Sequence, residues 1–359
     1  MSLLPLPHFD LARPRTIAEA VALLAEPGAR AIAGGTDLVP NLKHGLVAPG
    51  RLVALNGLAE LRRIETLHDG TLRIGAGCTL ARAGAHPDVR ARLPALAAAC
   101  ATVATPTIQN MATLGGNLLL DTRCTFYNQP VGWRDAIGGC LKCDGTVCHV
   151  APRGKGCYAA QSADTVPVLW LYDAVAELVS QAGTRRVPVR ELVGSDDGRT
   201  PNGLRAGELL VAVEVPGGGE GTRGPHTEAQ RHREEGEGGE ASGARGRVAF
   251  RKGRARGALD YGWLLVAVRR DEDAHGGASW RAVISGTGPR LVEVAAASID
   301  ALAEAAHDAV QPLATHLENV PWRKAMVRVE VRRAAESLEA SVEQAHGERG
   351  VWSGRGEPA

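Results

Sequence analysis

Hydrophobic and polar residues follow one another along the chain in short blocks, some with the spacing of helices and some with the alternation of strands. Thr16 followed by Glu19 is the pattern of a capping box, which predicts that a helix begins there. Helical spacing predicts helices over residues 17–25, 79–85, 95–100, 297–309 and 324–345. Apolar runs and alternation predict strands over residues 30–33, 51–55, 71–74, 185–189, 209–215, 258–269 and 280–285, and a buried helix followed by a strand within 167–179. The pattern is typical of a mixed α and β protein.

The apolar pattern stops between residues 217 and 247, a stretch that contains no Leu, Ile, Val, Phe, Trp, Tyr or Met. A stretch without large apolar side chains has nothing to bury in a core. We therefore expect a flexible linker or loop at 217–247. It would separate a domain of residues 1–216 from a C-terminal domain of residues 248–359.

Composition narrows the classes of protein and of partner. The chain has 359 residues, of which 44% are hydrophobic, and this is enough for two or three packed domains. Its 41 Lys and Arg residues balance 40 Asp and Glu residues, so the net charge favours neither nucleic acid nor an anionic membrane as a partner. The first residues lack the pattern of a signal peptide, and the most apolar later run is shorter than the roughly 20 residues that span a membrane. We expect a cytoplasmic protein.

The first candidate site is a glycine turn between a predicted strand and a predicted helix. Two glycines at such a turn let the backbone approach a diphosphate, toward which the N–H groups of the helix point. Taken alone, the segment is equally well explained as a structural turn, because glycine pairs are common between elements. It is not a G-x-G-x-x-G motif, so a nicotinamide-binding fold finds no support. The candidate residues are Ala31, Ile32, Ala33, Gly34, Gly35, Thr36 and Asp37.

A second glycine turn follows about eighty residues later, at 113–117. Thr113, Gly116 and Asn117 bring a hydroxyl, a glycine pair and an amide within five residues, and these groups suit phosphate oxygens. The presence of two such turns makes it less probable that both are only structural. Together they could hold one dinucleotide.

Four cysteines in a short segment form the third candidate site. Without a secretory context, thiols gathered in this way favour metal or iron–sulfur ligands over disulfides. Cys143 lies inside the segment and forms a C-x-x-C with the second of the four, which also suits zinc or a cluster in which Cys143 replaces that residue. A nucleotide turn beside thiolates indicates electron transfer. The four are separated by 15, 7 and 8 residues and are Cys124, Cys140, Cys148 and Cys157.

The motifs A-G-G-T-D-L at 33–38 and P-x-I-x-N-M-A-T-L-G-G-N at 106–117 resemble the FAD-binding subunit of the xanthine dehydrogenase and aerobic carbon monoxide dehydrogenase family of molybdenum hydroxylases. The opening at 9–24 and the T-G-P-R at 287–290 are also similar to that family. About forty residues separate the second turn from the S-A-D-T-V-P segment at 162–167. This insert resembles the one in the β subunit of 4-hydroxybenzoyl-CoA reductase, which carries a [4Fe–4S] cluster.

The resemblance implies a fold and a set of site residues. The fold is α+β, with a two-subdomain FAD-binding fold of the vanillyl-alcohol oxidase type (subdomains about 1–57 and 58–216), an iron–sulfur insert at about 122–161 and an α/β C-terminal domain. The two glycine turns would hold the FAD diphosphate, with Asp164 as a further contact. Lys252 is a looser match, for which an exposed, solvated lysine is an equal alternative. The cluster ligands would be Cys124, Cys140, Cys148 and Cys157.

The resemblance also implies an activity and partners. The chain would be the electron-transferring FAD and [4Fe–4S] subunit of a heterohexameric 4-hydroxybenzoyl-CoA reductase, which removes a phenolic hydroxyl from an aryl-CoA. Partner subunits would carry the molybdopterin cofactor and [2Fe–2S] clusters, and ferredoxin would be a suitable electron donor. The first alternative is the FAD subunit of an aerobic hydroxylase of the xanthine or carbon monoxide dehydrogenase type. A zinc-stabilised scaffold protein without redox activity is the alternative from another class.

Overall fold

The computed structural model describes residues 4–217, 246–257, 259–272, 277–317 and 319–350, so nearly all of the linker expected at 217–247 lies outside the described residues. The strands are β1 (Asp10–Ala12), β2 (Ala29–Ile32), β3 (Arg51–Ala54), β4 (Ile64–Thr66), β5 (Leu72–Gly75), β6 (Val175–Ser180), β7 (Gly183–Pro188), β8 (Leu209–Val215), β9 (Arg247–Gly253), β10 (Leu264–Glu272), β11 (Ala278–Ser285) and β12 (Val292–Ala296). The helices are α1 (Ile17–Leu24), α2 (Leu38–Lys43), α3 (Leu80–Ala85), α4 (Pro87–Arg92), α5 (Pro94–Thr102), α6 (Pro106–Gln109), α7 (Leu114–Leu118), α8 (Val131–Ala136), α9 (Val166–Leu171), α10 (Val189–Leu192), α11 (Ile299–Ala309) and α12 (Val320–Gly350). The mixed α and β class is thereby confirmed.

Three sheets organise these elements. A parallel sheet of order β1-β3-β2 lies within residues 10–54, and an antiparallel sheet of order β4-β5-β8-β6-β7 lies within residues 64–215. The third sheet, of order β12-β11-β10-β9, is antiparallel and lies within residues 247–296. The division of the N-terminal region into two subdomains and the start of a C-terminal domain at residue 248 remain predictions.

The third sheet is buried on both faces. Along β10, Val266 and Val268 pack with α11 and α12, whereas Ala267 packs into the core that contains α5, α9 and β8. Successive side chains of a strand point to opposite faces, so a sheet covered on both sides needs an uninterrupted apolar run. This explains the run from Leu264 to Val268 and places β9 against α5. The contact between β9 and α5 brings Lys252 to the site described below.

The capping box predicted at Thr16 and Glu19 is confirmed, whereas the next helix begins without a side-chain cap. At α1, the Thr16 hydroxyl oxygen accepts a hydrogen bond from the Glu19 N–H (3.1 Å), and the Glu19 carboxylate accepts one from the Arg15 N–H (2.7 Å). At α2, Asp37 occupies the N-cap position, but its side chain does not accept a hydrogen bond from the helix. Its carboxylate is engaged with other side chains instead. No helix in the described ranges is both long and apolar enough to cross a bilayer.

The strand expected at 258–269 was placed too early. Pairing in β10 begins at Leu264, opposite Gly253, and continues to Glu272. Leu259 has a positive φ of 55°, which is incompatible with an extended strand, so residues 259–263 form a loop instead. This loop forms part of the wall of the cavity described below.

Candidate functional site

All of the predicted cofactor-binding residues line one cavity of about 810 Å³. The first glycine turn forms one wall, the second turn another, and residues from the loops at 201–210 and 259–261 complete it. The structure therefore brings together positions that are far apart in the chain. The predicted residues among the lining are Ala31, Ile32, Ala33, Gly34, Gly35, Thr36, Asp37, Thr113, Gly116, Asn117, Asp164 and Lys252. Their contact with FAD remains a prediction.

A direct backbone crossing joins the two turns. A Cβ atom built on Gly34 would overlap the carbonyl oxygen of Met111, which belongs to the segment leading into the second turn. Gly35, the next residue, has a positive φ of 68°, a conformation that glycine adopts without steric cost. Both glycines are therefore required by the geometry, one for a close approach and one for the turn.

The first turn offers free hydrogen-bond donors. Within the described residues, the backbone N–H groups of residues 34–37 donate to no protein acceptor. Consecutive N–H groups of this kind form a concave site for anions, and a diphosphate is an anion of suitable size. This turn therefore presents unpaired donors, and binding of a diphosphate by them stays a prediction.

The second turn uses its backbone donors inside the protein. The N–H groups of Leu114 and Gly115 donate to the carbonyl oxygens of Cys78 (2.9 Å) and Ala76 (2.8 Å). The Gly116 N–H donates to the hydroxyl oxygen of Thr113 at 3.1 Å, an N-cap contact of α7. The backbone N–H groups of Leu114, Gly115 and Gly116 are therefore already paired within the protein. Binding of phosphate by this turn stays a prediction. What this turn still presents to a ligand is its side chains.

Asn117 is held by the segment that follows the cysteine insert. Its Oδ1 accepts hydrogen bonds from the backbone N–H of Thr165 (3.1 Å) and from the Thr165 hydroxyl (2.7 Å). Among the described residues, no protein acceptor takes a hydrogen bond from its Nδ2, so this amide group is available to a ligand. The side chain thus links the second turn to the segment at 162–167.

Asp164 and Lys252 form a buried ion pair in the wall of the cavity. The Lys252 Nζ lies 2.7 Å from the Asp164 Oδ1, and the two side chains are only 3% and 5% exposed. Lys252 also donates to the Thr102 carbonyl oxygen (3.1 Å), and the Thr102 hydroxyl donates to Asp164 (3.1 Å). Burial raises the pKa of the Asp164 carboxyl, and the Lys252 ammonium and the Thr102 hydroxyl oppose that rise. The alternative of an exposed, solvated Lys252 is wrong.

Sequence reasoning missed Tyr261, which also lines the cavity. It had been assigned to a strand, whereas it lies in the loop before β10 and is 45% exposed. An aromatic ring in the wall of a cofactor cavity can stack on a planar ligand. The signal available in the sequence was the pair Gly257 and Gly262, which flank this aromatic residue and interrupt the apolar run.

The four predicted metal ligands are all buried. Cys124, Cys140 and Cys157 pack in one apolar group with Tyr127, and the charge of Cys148 acts on both Cys124 and Cys157. Burial raises the pKa of the Cys157 thiol to about 11. A buried thiolate therefore needs a positive partner such as iron.

Cys143 is placed differently from these four. It is less buried than they are, and its thiol lies 3.2 Å from the Asp144 carboxylate. Its backbone exchanges two hydrogen bonds with Cys140, of 2.8 and 2.9 Å, in a tight turn. The backbone of residues 140–143 thus forms a turn that holds Cys140 in place. Which of the two cysteines would bind iron remains a prediction.

The cysteines do not surround a single point. Among the described residues, no three or more His, Cys, Asp or Glu side chains are arranged to hold one metal ion. In a [4Fe–4S] cluster each thiolate binds a different iron, so its four sulfurs need not converge on one ion. The assignment of a cluster to Cys124, Cys140, Cys148 and Cys157 therefore remains a prediction.

The two cysteines outside the insert are buried. Cys78 and Cys100 are at most 1% exposed and belong to the main apolar core. Burial raises the pKa of their thiols to about 11 and about 12 respectively. Both behave as small apolar side chains.

Comparison with known proteins connects the cavity to a family. A family model described as the FAD-binding domain in molybdopterin dehydrogenase matches residues 7–218. The aldehyde oxidoreductase FAD-binding subunit PaoB of Escherichia coli (strain K12) is 37% identical over 219 residues, which cover 58% of this chain and 68% of the relative. The xanthine dehydrogenase FAD-binding subunit of Escherichia coli O157:H7 is 33% identical over 212 residues, which cover 58% of this chain and 59% of the relative.

Solved structures show the same fold. Carbon monoxide dehydrogenase from Hydrogenophaga pseudoflava, in a form that lacks the Mo-pyranopterin moiety, superposes with a TM-score of 0.68 at 23% identity, covering 94% of this chain and 99% of that chain. Quinoline 2-oxidoreductase from Pseudomonas putida 86 superposes with a TM-score of 0.67 at 22% identity, covering 92% and 96%. At such identities the likeness concerns the fold alone. Because the family match spans more than half of its length, this chain belongs to the family of FAD-binding domains of molybdopterin dehydrogenases.

Proposed function

We propose that this chain is the FAD-binding, electron-transferring subunit of a molybdenum hydroxylase-type dehydrogenase. The observation that carries the proposal is the convergence of both glycine turns on one cavity of about 810 Å³. That volume falls within the range of cofactor and ligand sites. The free N–H groups of the first turn and the two side chains of the second supply the donors that a diphosphate needs.

The residues of this chain would bind and orient the cofactor. Residues 34–37 would donate to the diphosphate, together with the Thr113 hydroxyl and the Asn117 amide. The buried Asp164–Lys252 pair would keep a fixed dipole in the cavity wall. When bound, FAD supplies exchange of both one and two electrons. The sequence shows no convincing acid–base or nucleophilic constellation, so substrate chemistry would take place on a partner subunit.

The relatives favour an oxidising enzyme over a reductase. They include FAD subunits of aldehyde oxidoreductase and xanthine dehydrogenase, and the medium chain of carbon monoxide dehydrogenase of Hydrogenophaga pseudoflava is 38% identical over 114 residues. We therefore place the aerobic hydroxylase type first. Its partners would be a molybdenum-cofactor subunit and a [2Fe–2S] subunit, and its location would be cytoplasmic.

A second candidate is favoured by the cysteine segment. Four buried cysteines in the insert fit the [4Fe–4S] site of the 4-hydroxybenzoyl-CoA reductase type, in which a donor such as ferredoxin would feed electrons into a heterohexamer. The two candidates share the flavin site and differ in the substrate and in the direction of electron flow. An iron–sulfur cluster in this chain is compatible with either.

Cofactor content tests the proposal. Protein purified anaerobically is assayed for FAD, iron, acid-labile sulfide and zinc per chain, and EPR spectra are recorded after dithionite reduction. About one FAD per chain is the expected result, and about four irons and four sulfides would add the cluster. Zinc without flavin would overturn the proposal in favour of a scaffold protein. The direction of electron flow is then assayed in the complex by two separate measurements. One uses reduced ferredoxin as the electron donor, and the other uses an electron acceptor.

A further inference from the structure

Arg123 connects the cysteine segment to the flavin cavity. It immediately precedes Cys124, and its guanidinium forms an ion pair with Asp37, the last residue of the first glycine turn. The same guanidinium stacks on the ring of Tyr261, with 4.4 Å between its central carbon and the ring centroid. Arg123 thus touches two residues that line the cavity, yet it does not line the cavity itself.

The backbone of Arg123 closes the cysteine segment. Its N–H donates to the Ala160 carbonyl oxygen (2.8 Å), and the Ala160 N–H donates back to the Arg123 carbonyl oxygen (2.7 Å). Residues 123 and 160 therefore form the neck through which the segment leaves and rejoins the rest of the fold. The side chain of Arg123 reaches from this neck to the first glycine turn.

Asp37 needs this partner for an electrostatic reason. Its carboxylate lies in the turn whose free N–H groups suit a diphosphate, and two anions close together repel each other. Besides Arg123, the carboxylate is contacted by the neutral Asn41 amide at 3.0 Å. In the part of the chain that the structure describes, the paired cation in contact with Asp37 is Arg123.

The environment of Arg123 is costly for a cation. Its side chain is only 10% exposed. Its Nε and Nη2 are buried and form no hydrogen bond among the described residues, although Nη2 is in ion-pair contact with the Asp37 carboxylate. A buried cation with an unsatisfied donor is weak evidence for a purely stabilising role.

We propose that Arg123 is a positioning residue for FAD, acting through Asp37 and Tyr261. Its charge neutralises the Asp37 carboxylate, so the first turn accepts a diphosphate, and its plane supports the Tyr261 ring in the cavity wall. The inference rests on FAD binding at this cavity. It makes the neck of the cysteine segment a determinant of flavin affinity.

A double-mutant cycle tests this role. The FAD dissociation constant of the flavin-depleted full chain is measured by fluorescence titration for Arg123→Met, Asp37→Asn and the double variant, with far-UV circular dichroism as a check on folding. Arg123→Met is expected to weaken FAD binding by about tenfold or more, because it leaves an unpaired carboxylate beside the diphosphate. The double variant is expected to recover most of that loss. A simple packing role would give no such recovery.

Further variants keep the test decisive. Arg123→Lys retains the charge and is expected to bind FAD more tightly than Arg123→Met. Arg199→Met removes an exposed arginine paired with Asp197, whose carboxylate accepts from the Cys157 N–H, and it is expected to leave the FAD dissociation constant unchanged. If Arg123→Met fails to fold, the cycle is measured with Arg123→Lys, Asp37→Asn and their double variant. Arg123→Lys is then expected to weaken FAD binding less in the Asp37→Asn protein than in the wild-type protein.

The outcomes separate this inference from the function it rests on. A double variant as weak as Arg123→Met, or an Arg123→Met protein with wild-type affinity, would overturn the positioning role while FAD binding stands. A wild-type chain that binds no FAD would instead overturn the proposed function.

Discussion

The buried pair of Asp164 and Lys252 offers a sharp test of the site, through the substitution Lys252→Met. Methionine has nearly the length of lysine but no charge, so the variant removes the cation and keeps much of the packing. The Thr102 carbonyl oxygen would still accept a hydrogen bond from Arg254 at 3.3 Å. The consequence of the substitution therefore falls mainly on Asp164, which would keep the Thr102 hydroxyl as a side-chain partner among the described residues.

The magnitude follows from the burial of the pair. Both side chains are at most 5% exposed, and removal of one partner of such a pair typically costs about 3–5 kcal/mol, since the other charge is left uncompensated. Burial already raises the pKa of Asp164, and loss of Lys252 removes the largest opposing effect. A raised carboxyl pKa in the folded state means that the folded state holds its proton more tightly than the unfolded state does. Stability of the variant is therefore greatest below the unfolded pKa and is lost as the pH rises through the folded pKa.

The assay is urea unfolding of the full chain at pH 5 and at pH 8, for wild type, Lys252→Met and the double variant Asp164→Asn/Lys252→Met. We expect the deficit of Lys252→Met in the free energy of unfolding to be larger at pH 8. The double variant should recover most of it, because no buried charge remains. A deficit that is equal at both pH values and is unaffected by Asp164→Asn would refute the electrostatic reasoning and indicate a packing defect.

Three further predictions concern the glycine turns and the cysteines. Gly34→Ala should lower the melting temperature and the FAD content, since the added Cβ has no room at the backbone crossing. The control Gly132→Ala has open space around it and should change neither quantity. Equal effects of the two substitutions would contradict the crossing. Asn117→Asp keeps the acceptor oxygen but adds a negative charge. The circular dichroism spectrum should therefore be unchanged, while FAD binding weakens by about tenfold. Unaltered flavin retention would show that this side chain is not part of the site. Cys124→Ser should reduce the iron content of anaerobically purified protein, and Cys143→Ser should retain it; loss of iron from Cys143→Ser would make Cys143 a ligand.

Several elements were predictable because their causes are local. The helix at α1 follows from Thr16 and Glu19, which satisfy backbone N–H groups within one turn. The strand β8 has the predicted bounds, Leu209–Val215, because its apolar run is interrupted by a single residue, Glu214, and ends at Pro216. The loop at 259–263 was missed because a positive φ at Leu259 breaks an apolar pattern that otherwise reads as a strand.

The sequence by itself determined which segments could hold phosphate and which could hold iron, because glycine pairs and cysteine spacings are local properties of the chain. Tertiary structure decided which of these groups are free. The N–H groups of the second turn are taken by Ala76 and Cys78, whereas those of the first turn remain unpaired among the described residues. Tertiary structure also paired Lys252 with Asp164 and Arg123 with Asp37. Such partners are distant in sequence and meet only when the sheets and helices pack, so no local pattern reveals them.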